Sequence, residues 1–154
     1  MVTTLKNIVI AINGINQNLN SVFASDFVSS AVPSGSAISL TSATPANVTS
    51  ISLVAGDWDV WGNIGFIANA ATTATVFEGG ISATSNTLPV SPGAGGYSQF
   101  GIPLSAAGTP PVIPIGMTRV NITVTTTIYL VAQSTFSINS MSAYGFIGAR
   151  LRGV

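Results

Sequence analysis

Ala143-Tyr144-Gly145-Phe146-Ile147-Gly148-Ala149-Arg150-Leu151-Arg152 alternates between two sets of side chains: Tyr144, Phe146 and Gly148 on one side, Gly145, Ile147, Ala149 and Leu151 on the other. A period of two is the mark of a β-strand. With apolar residues in both sets, the strand has two usable faces, as expected in the middle of a sheet or at a subunit contact. Just upstream, Ile128, Leu130 and Ala132 repeat the period on one face. From Ile38 onward, Val, Ile, Thr and aromatic residues alternate with small polar ones, and Gly, Pro or Asn recurs every eight to twelve residues, the punctuation of an all-β domain. The predicted strands are Ile38–Thr41, Val48–Val54, Trp58–Asn69, Thr75–Ala83, Gln99–Ile102, Arg119–Val124, Thr127–Phe136 and Ala143–Arg152. Eight strands without cysteine suggest a sandwich, and the jelly roll is the common eight-strand solution. The stretch from Leu88 to Ile115 holds six prolines and five glycines and is read as loops forming a contact surface.

The beginning of the chain has another period. Leu5, Ile8, Ile12, Ile15, Leu19 and Val22 are spaced 3, 4, 3, 4, 3, with Asn and Gln between them, which is the a/d seam of a heptad repeat capped by Thr3 or Thr4. Isoleucine at both seam positions favours three or more strands, so the segment is expected to be a trimeric coiled-coil stalk; a single amphipathic helix lying on its own domain is the alternative. Gly14 and the asparagines weaken the helix enough that it needs partners. The domain expectation is therefore a helical stalk or docking segment at 1–23, a Ser-rich linker at 24–37 containing Pro33 and Gly35, and a jelly-roll head at 38–154. Phe27 and Val28 are placed where stalk meets head.

Composition narrows function. Only 5% of the 154 residues are charged, against roughly 25% in an ordinary soluble domain, and 47% are hydrophobic. So uncharged a surface associates readily. Net charge is zero, so no basic field draws nucleic acid or anionic lipid. Histidine and cysteine are absent, which removes Ser-His-Asp and thiol catalysis and the commonest metal ligands. The apolar run Ile8–Ile12 is too short and too interrupted for a signal peptide, and no stretch reaches the ~20 apolar residues of a membrane span. The protein is expected to be made in a cytoplasm and carried elsewhere only within an assembly.

The four acids are Asp26, Asp57, Asp59 and Glu78. Asp57 and Asp59 flank Trp58, with Trp61 nearby, a grouping that suits a sugar or Ca²⁺. Gly56-Asp57 reads more strongly as a turn entering a strand, so no metal, cofactor or catalytic residue is assigned. Asp59 and Glu78 are expected to pair with Arg119 or Arg150, within a chain or between subunits. The glycine-rich stretches lack the context of a nucleotide site.

Ile51-Ser52-Leu53-Val54-Ala55-Gly56-Asp57-Trp58-Asp59-Val60-Trp61-Gly62, Thr126-Thr127-Ile128-Tyr129-Leu130-Val131-Ala132-Gln133 and the C-terminal strand resemble head domains of tailed-bacteriophage structural proteins, themselves similar to trimeric jelly rolls of the C1q and tumour-necrosis-factor type. The opening Thr3-Thr4-Leu5-Lys6-Asn7-Ile8-Val9 resembles short phage virion proteins. The resemblance implies a homotrimer on the virion surface, packing aromatic and aliphatic faces near a threefold axis and touching other capsid or tail proteins. Chain length favours capsid decoration or a head fibre over a tail fibre. C1q-like proteins often bind calcium, but no acidic cluster here matches. The alternative function is a tail-fibre tip recognising host-surface glycan through Trp58, Trp61, Tyr97 and the Pro/Gly loops; Tyr144 and Phe146 complete the expected head contacts. A secreted lectin-like trimer and an enzyme rank below both.

Overall fold

The computed structural model describes residues 26–69, 71–90, 96–101, 103, 110–137 and 139–152. The predicted stalk lies outside them. The described chain is all-β: β1 Phe27–Val32, a 3₁₀ turn Ser34–Ser36, β2 Ile38–Leu40, β3 Ala46–Leu53, β4 Gly56–Ala68, β5 Thr73–Ser82, β6 Tyr97–Phe100, β7 Val112–Ile122, β8 Thr126–Ser137 and β9 Met141–Leu151. The strands form two antiparallel sheets. The front sheet has the order β1-β9-β4-β7, with β2 also on β9, and the back sheet the order β3-β8-β5-β6. The result is a jelly-roll-like β-sandwich.

The front sheet is built on its longest strand. β4 pairs along eleven residues of β9, from Trp58 opposite Leu151 to Ala68 opposite Met141. On its other side it pairs with β7, where Gly116 and Met117 together oppose Trp61 and make a bulge. The inward residues of both sheets fill the core: Leu53, Trp58, Val60, Ile64, Phe77, Ile113, Ile128, Leu130, Met141 and Ile147 are all at most 1% exposed. Phe66 of the front sheet and Phe77 of the back meet edge to face at 5.0 Å between ring centres. Each such side chain contributes about 1.5–3 kcal/mol by leaving water.

Two expectations change. Residues 24–37 were expected to be a linker, yet β1 runs through them, paired with β9 from Phe27 opposite Arg150 to Val32 opposite Gly145. Its inward Val28, Ser30 and Val32 include a serine whose hydroxyl bonds Thr49 of the back sheet at 2.6 Å. Such a half-polar edge strand leaves little hydrophobic signal. β7 also begins at Val112, well before the predicted Arg119 and inside the expected loop region. Pro114 is accommodated there because β7 is an edge strand, where a missing N–H leaves no ladder bond unmade.

Candidate interaction surface

Alternation along four strands sets one group of residues on the outer face of the front sheet: Phe27 and Ala31 of β1, Tyr144, Phe146 and Arg150 of β9, Asp57, Asp59, Trp61 and Ile67 of β4, and Val112 and Arg119 of β7. The aromatic members lie low. Glycines on the neighbouring strands provide the room: the Tyr144 ring lies over Gly65, and a Cβ on Gly148 would come within 2.9 Å of the Phe146 ring and 3.3 Å of the Trp61 ring. Phe27, half exposed, sits 6.0 Å from Trp61 between ring centres, tilted by 35°. Ile67, Val112 and Met117 extend the apolar surface, all well exposed.

The back sheet is different, because the chain covers part of its own outer face. Asn47 and Asn86 exchange hydrogen bonds, each backbone N–H donating to the other's Oδ1 at 2.9 and 2.8 Å. This ties down the segment after β5, and Pro89 lies over Gly80. Val131, which points outward from β8 beside Gly80, has no exposed surface.

Charge gathers at one end of the front sheet. Arg119 grips Asp57 with two donors, Nε to Oδ1 at 2.7 Å and Nη2 to Oδ2 at 2.6 Å. That hydrogen bonding holds the Asp57 carboxyl below its ordinary value of 3.8, and raises the Arg119 guanidinium in turn. Arg152 Nη1 donates to Asp59 Oδ1 at 3.0 Å. The expected partners were different: Asp59 or Glu78 with Arg119 or Arg150. Asp59 does stand directly opposite both Arg119 and Arg150 in the ladders, but Arg119 reaches the diagonal carboxylate, so each acid receives one cation. Both pairs are exposed and contribute little to stability. Arg150 and Asp26 have no ion-pair partner among the described residues.

Glu78 is on the other side of the molecule, on the outer face of the back sheet, and therefore meets no arginine. It accepts hydrogen bonds from the Tyr97 hydroxyl at 2.6 Å and the Gln133 amide at 2.8 Å, joining β5, β6 and β8. Trp58 is interior, 1% exposed, with its indole N–H donating to the Val54 carbonyl at 3.0 Å; it offers no ring to a ligand. Trp61, Tyr144 and Phe146 are brought together at the surface, whereas Tyr97 is on the opposite sheet. Phe27, expected where stalk meets head, was not expected in this stripe; only the outward set Phe27, Ser29, Ala31 hinted at a strand.

Among the described residues no group of three His, Cys, Asp or Glu side chains could hold a metal, and no helix is long and apolar enough to cross a membrane. No family model matches the chain, and no curated protein does. Among solved structures, a chain in the structure of infectious bursal disease virus, Gx strain, is similar over 83% of this chain and 32% of its own, with a TM-score of 0.51 and 15% identity. A chain of the VP2 subviral particle of the same virus matches with a TM-score of 0.40 and 16% identity, over 82% of this chain and 30% of that one. The first likeness establishes a shared β-sandwich fold. This chain spans about a third of the length of the viral chains it matches.

Proposed function

We propose that the protein is a non-enzymatic structural component of a virion, a homotrimer tied to a phage particle by its N-terminal segment and projecting the sandwich as a capsid-decorating head or head fibre. The observation that carries this is the sandwich held in common, over most of the chain, with a chain of a virus particle. Two features agree with it. The surface is almost without charge, and the heptad seam of Leu5, Ile8, Ile12, Ile15, Leu19 and Val22 directly precedes β1. Light scattering of the full chain tests the assembly: three times the chain mass is expected, falling on Ile8→Asp/Ile12→Asp substitution. A single-chain mass at every concentration would overturn the trimer.

The second reading, a tail-fibre tip recognising host-surface glycan, is favoured by the flat presentation of Trp61 and Tyr144, since sugar faces stack on exposed rings. Without Trp58 it rests on those two and, on the other sheet, Tyr97. Loss of glycan-array binding in Trp61→Ala would support it, and an array without signal for the wild type would dismiss it.

A further inference from the structure

We infer that the outer face of the front sheet is covered by a second copy of this chain, which presents Asp26, at the head of its β1 edge, to Arg150. This rests on the homotrimer proposed above and names its head contact.

The occupant follows from chemistry. The face is a floor of rings and aliphatic side chains with ions only along one end, so its cover must be apolar and close to neutral. This chain is both, with 47% hydrophobic residues and no net charge. Its own back sheet is already partly roofed by the segment after β5, while no described segment crosses the front. The size also fits. β9 has 11 residues, and at about 3.3 Å per residue and 4.8 Å between four strands the face measures roughly 700 Å². A stable interface takes about 800 Å² from each partner, so the face supplies nearly one such contact.

The ions give the register. Six of the seven charged residues among those described, all but Glu78, gather at this end, and two pairs close within the chain: Arg119 with Asp57 and Arg152 with Asp59. One cation and one anion are left over. Arg150 is exposed on the outer face, and Asp26 stands where the N-terminal segment enters β1, the edge strand, its carbonyl accepting the Leu151 N–H at 2.9 Å. A threefold ring joins two different patches on each subunit. The sheet face with Arg150 and the β1 edge with Asp26 are such patches, and each copy completes the next.

The test uses the full chain and three variants, Arg150→Glu, Asp26→Arg and the double exchange, with the trimer's dissociation followed by light scattering on dilution. Each single variant sets like charges together and should raise the dissociation midpoint by about a hundredfold or more, because such contacts cost several kcal/mol. The double variant should restore it. High salt should narrow the differences. Unchanged midpoints in a trimeric wild type would overturn the head contact while leaving the trimer standing. A monomeric wild type would overturn both. Circular dichroism of every variant should match the wild type, since Arg150 is exposed and Asp26 stands partly exposed just ahead of β1.

Discussion

Substituting alanine for Gly145 should damage the fold far more than the same change at Gly65, although both glycines sit on the ladder between β4 and β9. At Gly145, a Cβ would press into the carbonyl oxygen of Asn63 and come within 3.2 Å of both the Asn63 carbonyl carbon and the Ile64 Cα. All three are backbone atoms of the strand that holds the front sheet together. No rotamer relieves them, so the ladder has to open beside Ile64, which has no exposed surface. Overpacking typically costs about 1–3 kcal/mol, and with backbone as the obstacle the upper end applies. For a chain of this size 3 kcal/mol lowers the melting temperature by roughly 6–12 °C. At Gly65 the obstacle is the Tyr144 ring, a side chain on the outer face that can swing outward. Gly65→Ala should therefore melt within about 3 °C of the wild type, a loss below about 1 kcal/mol. Thermal denaturation by far-ultraviolet circular dichroism, at one fixed concentration, measures both. Equal melting temperatures for Gly145→Ala and the wild type would refute the close approach of β9 to β4; a large loss in Gly65→Ala would show that the Tyr144 ring is held as firmly as the core.

Leu130→Ala, at a position with no exposed surface in the centre of the core, should cost about 2–5 kcal/mol in urea titration, and a loss under 1 kcal/mol would contradict its placement. Ser134 is buried and donates its hydroxyl to the Val76 carbonyl at 2.8 Å, beside the irregularity in β5. Ser134→Ala should lose about 1–3 kcal/mol by leaving that carbonyl unpaired, while Ser137→Ala, at an exposed site, should lose little. With no histidine in the chain, the urea midpoint should be flat between about pH 5 and 8. Because the Asp57 carboxyl is held below 3.8 in the folded state, its contribution is present above that value and disappears as the pH falls through the folded one. Asp57→Asn should remove that part of the acid-side decline; an identical acid profile would show that the Arg119 pair is not maintained in solution.

The strands with strong alternation were legible in the sequence. Trp58–Asn69 was expected and β4 spans Gly56–Ala68; Thr127–Phe136 was expected and β8 spans Thr126–Ser137. There, one face is core and β-branched or aromatic residues mark it. β1 was not legible, since its inward set of Val28, Ser30 and Val32 is half polar and its neighbours Pro33 and Gly35 read as a break. The start of β7 was hidden by Pro110, Pro111 and Pro114, because the sequence does not say which strand will be an edge. Of the surface, Trp61, Tyr144 and Phe146 were picked out by residue type, but nothing local separates Trp61 from the interior Trp58; the alternation about Asp57 and Asp59 does so only once the core side is known. Pairing within the chain was not legible, because opposition in a ladder and reach of a guanidinium are different things: Arg119 passes over its direct partner Asp59 to reach Asp57.

Entry and exit of the sandwich are side by side, Asp26 bonded to Leu151 and the Arg152 N–H to the Asp57 carbonyl. The connections from β4 to β5 and from β8 to β9 are at the other end, stitched by the Asn69 N–H and the Thr72 hydroxyl on the Ser140 carbonyl. The molecule thus has a base and a tip. A guest peptide spliced in between Ala68 and Thr73 would be carried the full length of β4 away from Asp26, whereas one fused beyond Arg152 would stay beside it. For a foreign epitope, the splice site alone decides which end of the sandwich carries it.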